Sequence, residues 1–301
     1  MAAVIVLALA STTCAAISTV LKHLAANRPV KPVFGGKAHQ TIERMIGNPL
    51  FLLALIVDAA AVAFQILALR NGDLSTVQPI LTMALVISLG LDHLATRTRI
   101  TGGEVLWSVT LVGGLILFLA SSGATTPHRG LDVGLRGPGY ALAATAIVTW
   151  GIALLVTRRM KRTIRARTMA VGVAAIYATT AALIKSSTRI FDTVGAGELV
   201  KSWQLWTLIV LAAIALVLNQ HVFSMAPLHV TLPVIASLDP LFSVVIGRAV
   251  FDEQLLSTPW AIFVETIGLV MLLVGVVRLS KSQAAAHPPT NPVAHPPAGA
   301  H

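Results

Sequence analysis

Nine stretches of about 20 mostly apolar residues run through this chain of 301, and that is the length an α-helix needs to cross the hydrocarbon core of a bilayer. They fall near residues 2–21, 51–69, 74–91, 103–121, 139–157, 168–187, 204–223, 228–249 and 260–279. In lipid every backbone polar group has to be satisfied inside the protein, so segments this long are helices. The sequence therefore predicts an all-α integral membrane protein with about nine transmembrane helices. Charge agrees, since only 11% of residues are charged, against about 25% in an ordinary soluble domain. Links such as Arg70-Asn71-Gly72-Asp73 and Ser224-Met225-Ala226-Pro227 are short enough to make their neighbours antiparallel hairpins, with Gly72 and Pro227 as the turn residues. The first segment has no basic region ahead of its apolar run and no clear cleavage site before Lys22, so it reads as a retained span.

A second regularity runs through these spans. Pro79 matches Pro233 (233 − 79 = 154), and at the same offset Gly114 matches Gly268 and Gln65 matches Asn219. Spans two to four thus align with spans seven to nine, and span one matches span six once Lys22 is set against Lys185. Span five stands alone. The copies lie five spans apart, an odd number, so each helix and its copy cross in opposite directions, as in the inverted repeats of secondary transporters. Pro79 and Pro233 are expected to break their helices, freeing carbonyls near Ser75 and His229. Gln65 and Asn219 are read either as a helix-to-helix hydrogen bond or as solute contacts.

Fifteen of the 22 basic residues lie on one side of this topology, which the positive-inside rule makes cytoplasmic. The N-terminus is then outside and the C-terminus inside, in a multi-pass protein of the cytoplasmic membrane. The expected organisation is a first half over 1–157, a basic loop over 158–167, a second half over 168–281 and a disordered His/Pro-rich tail over 282–301. The cluster Arg158, Arg159, Lys161, Arg162, Arg165 and Arg167 reads as a topology anchor, with anionic lipid headgroups as the alternative. His287, His295 and His301 imply no preorganised metal site, and lone Cys14 reads as a packing residue. The net charge of +10 sits in loops between spans, and no nucleic-acid motif accompanies it.

Charge within a span is costly, so each intramembrane ionisable residue is a functional candidate. Asp58, Asp239 and Glu265 qualify as groups for proton or cation coupling, the alternative being paired or solvated structural carboxylates. None is duplicated at the 154-residue offset. Lys22 and Lys185, at span ends, either snorkel to the interface or pair with a carboxylate. The run Asn219-Gln220-His221 should face the bundle interior, where His221 would titrate near neutral pH. Trp107, Trp203, Trp206 and Trp260 fit an interfacial belt.

The segments Leu74 to Pro79 and Leu228 to Pro233 resemble those opening the third helix of each repeat in the drug/metabolite transporter superfamily, including its EamA-like members. Asp239-Pro240 extends the likeness, and Phe251-Asp252-Glu253 is similar to the family's aromatic-Gly-Glu element, with Asp252 in the glycine's place. Nine spans and the ending Ser18-Thr19-Val20-Leu21-Lys22 look like the NIPA-type magnesium transporters. The resemblance implies a drug/metabolite-transporter-like bundle and a permease working by alternating access, with magnesium or another divalent cation as an alternative cargo. We place its cavity between spans two, three, seven and eight, lined by Asp58, Gln65, Gln78, Asn219, Gln220, His221 and Asp239. A membrane scaffold and a lipid-carrier flippase for envelope assembly are the competing readings. No HExxH, Walker loop or catalytic GxSxG points to an enzyme. No cofactor is expected; the expected partners are the bilayer and a small solute or ion, with a homodimer left open. Arg outnumbers Lys by 15 to 7, a composition pointing to a high-GC bacterium.

Overall fold

The computed structural model describes residues 2–26, 48–96, 99–121, 161–225, 228–251, 253 and 258–286. All regular structure among them is helical: α1 (Ala2–Ala26), α2 (Pro49–Asn71), α3 (Leu74–Leu81), α4 (Ala84–Thr96), α5 (Gly102–Ser121), α6 (Arg162–Val194), α7 (Ala196–Lys201), α8 (Trp203–Met225), α9 (Leu228–Phe251) and α10 (Pro259–Ala286). Seven of the described stretches are long and apolar enough to cross a membrane. The expected span over 139–157, the linker residues Arg158 and Arg159, Pro227 and the His/Pro-rich tail from His287 onward lie outside the described residues, while residues 282–286, expected to be disordered, continue α10. Val6, Ile56, Val109, Ile116 and Val217 are each more than 60% exposed, a surface suited to lipid rather than water.

Helices α1 and α2 form a tight antiparallel pair because their facing residues are small. Ala54, Ala61 and Ala68, spaced by seven, are buried against Ala8, Ser11, Ser18 and Ala25. That spacing lets the backbones come close enough for Ser11 Oγ to donate to Ala61 O (2.8 Å) and Ser18 Oγ to Ala54 O (2.9 Å). Such bonds between membrane helices contribute about 0.6 kcal/mol each. Asn48 closes the pair: its Oδ1 caps α2 at the Leu50 amide (3.0 Å), and its Nδ2 donates to Ala25 O (3.1 Å).

The expected turn role of Gly72 needs correcting. Its backbone is extended (φ −134°, ψ 171°), a conformation open to any residue. What excludes a side chain there is Val4 of α1, which a Cβ would strike.

The third expected span is two helices, interrupted at Thr82 and Met83 just past Pro79. Both the Thr82 amide (3.2 Å) and its hydroxyl (2.6 Å) donate to Pro79 O, closing a tight turn where the helix would otherwise go on. Pro233, expected to break its own span, instead lies within the continuous α9. The residue matching Thr82 there is Ala236, which has no hydroxyl to stabilise such a turn. Ser237 Oγ donates to Pro233 O four residues back (2.7 Å), a bond compatible with an unbroken helix. Arg162, Arg165 and Arg167, expected in a loop, occupy the first turns of α6.

Helices α5 and α10 run antiparallel and meet backbone to backbone. A Cβ on Gly114 would stand 2.7 Å from Gly268 O and strike the Leu272 amide nitrogen; one on Gly268 would stand 2.5 Å from the Phe118 nitrogen and 2.9 Å from Gly114 O. The contacts are reciprocal, because Leu272 follows Phe118 at the same 154-residue offset that separates the glycines. One turn away, a Cβ on Gly275 would stand 2.7 Å from Leu111 Cα. Since the obstructing atoms are backbone, no rotamer change relieves the clash. Gly114→Ala and Gly268→Ala should each destabilise the protein by about 1–3 kcal/mol. Thermal unfolding in detergent should show the double variant costing less than the sum, because one forced separation relieves both; strict additivity would contradict this.

Candidate functional site

Glu253 stands two residues beyond α9, and its carboxylate meets four donors. Its Oε1 accepts from the Leu74 amide (2.7 Å) and from Lys185 Nζ (2.6 Å); its Oε2 accepts from the Ser75 amide (2.8 Å) and the Ser75 hydroxyl. The first amides of a helix have no partner within it and carry the positive end of its dipole. Asp73, at the N-cap position of α3, makes no side-chain cap bond; its carboxylate instead takes Lys185 Nζ at 3.2 Å. Glu253 therefore caps α3 from 178 residues away in sequence.

Local geometry aims it there. The Glu253 amide donates to Gly247 O (3.2 Å), a helix-terminating bond that turns the chain off α9. Gly247 leaves room for this cluster: a Cβ there would stand 2.6 Å from Ser75 Oγ and strike Glu253 Oε2, displacing both. Lys185 is 2% exposed, and its ammonium lies 5.1 Å from the centre of the Phe251 ring. Burial alone would raise the Glu253 pKa, but the Lys185 charge and the bonds from Lys185 and Ser75 outweigh it and hold the carboxyl below its usual range. Beside this cluster Arg70 pairs with Asp192 through two contacts of 2.9 and 2.5 Å.

From this capped end a polar face descends along α9. Ser243, Asp239 and Thr231 recur at multiples of four, so they share one broad side of the helix. Ser243 Oγ, Asp239 Oδ1 and Thr231 Oγ1 are all buried without a hydrogen-bond partner. So is Gln78 Nε2 on α3, which starts where α9 ends and so brings Gln78 near the height of Ser243. Helix α6 lines the same region, with Tyr177 close enough to feel the charge of Asp239 and Lys185 two turns further toward the cap. A buried unsatisfied polar atom costs about 1–3 kcal/mol. Two more such atoms, Arg165 Nε and Ser187 Oγ, lie on α6, which packs against α9.

The remaining expected site residues are spread differently. Asp58 is bound by Lys22 Nζ, so the two lysines matched by sequence both reach carboxylates. Gln65 is half-buried on α2, which packs against α1, α3 and α6. Asn219, Gln220 and His221 lie on α8, where nothing more is described of their side chains. Glu265 is buried on α10, with the Arg248 charge acting on it. Of the four expected spans, the third and the eighth carry the unpartnered atoms of Gln78, Thr231, Asp239 and Ser243, and α6 packs against α9 beside them. Among the described residues no three His, Cys, Asp or Glu gather into a metal-holding group.

Two polar clusters were not anticipated from sequence. Glu253 enters the sequence reading only as part of Phe251-Asp252-Glu253, not as the counter-charge of Lys185. At the opposite end of the bundle Glu104 accepts from the Thr101 amide and hydroxyl (2.8 Å each) and from Ser282 Oγ (3.0 Å), and lies 3.4 Å from His93 Nε2. The Thr101-x-x-Glu104 spacing is a capping-box signature that sequence carries openly.

No family model and no solved structure matches the chain. It is similar to an uncharacterized protein of Corynebacterium glutamicum, 24% identical over 282 residues that cover 92% of this chain and 94% of that protein.

Removing Glu253 leaves Lys185 buried with Asp73 alone, and breaking a buried pair costs about 3–5 kcal/mol. Glu253→Ala should show that loss in thermal unfolding. Because its folded pKa is lowered, Glu253 contributes stability that is present above the unfolded value of about 4.3 and is lost as pH falls through the folded one. Unfolding measured from pH 7 to pH 3 should therefore show a shallower acid limb in Glu253→Gln than in the native protein. Parallel limbs would contradict the assignment.

Proposed function

We propose that this protein is a permease of the cytoplasmic membrane that moves a small solute by alternating access, using two inverted sets of helices. The observation that carries this reading is the row of unsatisfied polar atoms at Gln78, Thr231, Asp239 and Ser243 inside a bundle of membrane-length helices. A scaffold would gain nothing from leaving them unpaired, whereas a solute that hydrogen-bonds to them offsets their cost while it is bound. Asp239 is the group that would bind the solute or exchange a proton with it.

Two further features support the reading. The reciprocal crossing of α5 and α10 at Gly114 and Gly268 is what a two-fold relation between inverted copies produces. The Glu253 cluster joins Asp73, Leu74 and Ser75 of the first half to Lys185 and Glu253 of the second. It acts as a latch closing one end of the polar face, so the solute enters from the other.

Counterflow in proteoliposomes tests this with a panel of amino acids, nucleosides, sugars, amines and divalent cations. At least one class should exchange, and Asp239→Asn should reduce that exchange at least ten-fold while leaving the unfolding temperature near that of the native protein. No exchange by any class, or full exchange by Asp239→Asn, would refute the proposal.

A further inference from the structure

Away from the polar face, an open groove of about 300 Å³ lies between α9 and α10, lined by Ser237, Leu238, Leu273, Val274, Val277 and Arg278. Its walls are aliphatic apart from Ser237 and, at one end, Arg278. The Arg278 guanidinium lies 4.9 Å from the centre of the Trp107 ring on α5, which holds it in place without using its in-plane donors. Among the described residues no carboxylate claims those donors. Glu104, the acidic residue of α5, is spent on Thr101, Ser282 and His93. Asp239 of α9 lies by Tyr177 and Glu265 of α10 by Arg248. One turn further along α10, Lys281 is exposed and adds a second positive charge.

An apolar channel between two membrane-spanning helices that ends in a fixed, unpaired guanidinium matches one kind of ligand. We infer that this groove is a binding site for an anionic phospholipid, with an acyl chain along Leu238, Leu273, Val274 and Val277 and the phosphate on Arg278. Arginine suits the role because its planar fork can grip two phosphate oxygens at once. The site depends only on the chain spanning a membrane, and stands whether or not the protein transports a solute.

The test uses the full chain in detergent and native mass spectrometry, titrating phosphatidylglycerol and phosphatidylcholine with identical acyl chains. The native protein should bind phosphatidylglycerol about five-fold more tightly, the gain expected for one basic residue at a membrane surface. Arg278→Gln should equalise the two lipids. Val274→Phe, which fills the groove, should weaken both while keeping their ratio, and inorganic phosphate should not compete. A phosphatidylglycerol preference that survives Arg278→Gln, native-like binding by Val274→Phe, or competition by inorganic phosphate would each overturn the proposal, the last by showing a site for free anions.

Discussion

Helices α5 and α10 touch through their backbones, and neither can take a side chain at the crossing. Gly114 lies against Gly268 and Leu272, and Gly268 against Gly114 and Phe118. Between membrane helices no hydrophobic gain favours one neighbour over lipid, so association depends on close packing and on polar bonds. The crossing fixes the direction and height of α10, and with it the groove beside α9 and the approach of Ser282 to Glu104. The small-residue seam of α1 and α2 does the same for the first half. Around these two rigid pairs, α3, α6 and α9 enclose the polar interior.

That interior has two unlike parts. At one end the charged groups are matched: Glu253 answers two amides, a hydroxyl and an ammonium, and Lys185 answers two carboxylates. Below it, Ser243, Asp239, Thr231 and Gln78 are left unmatched. The contrast is the one the proposed permease calls for. A matched network resists opening until something competes for its members, while an unmatched face gains by binding.

Much of the architecture was legible in sequence, since apolar length alone sets where helices lie in a membrane protein. Helices overlie every expected span within the described residues. The match of Gly114 with Gly268 reads only as a mark of the repeat, and the crossing it makes needed the structure, because sequence does not say which backbone a glycine lets approach. Helix interruption was harder to read: Pro79 and Pro233 look alike in sequence, but only the first has a threonine three residues on to close a turn. The partner of Lys185 was hidden for another reason, as Glu253 lies 68 residues away and meets it only once α9 has ended and turned. Asp58 and Asp239, equal candidates as intramembrane carboxylates, were separated by geometry alone: one found Lys22, and the other keeps a buried oxygen, Oδ1, without a hydrogen bond.

Side-specific labelling of a cysteine at the polar face tests the closed-end arrangement most directly. In a Cys14→Ser background, Ser243→Cys should react with a membrane-impermeant thiol reagent only from the side opposite Glu253. Adding Glu253→Gln should admit the reagent from the Glu253 side as well. Labelling unchanged by Glu253→Gln, or absent from both sides in both proteins, would contradict a latched, solute-accessible interior.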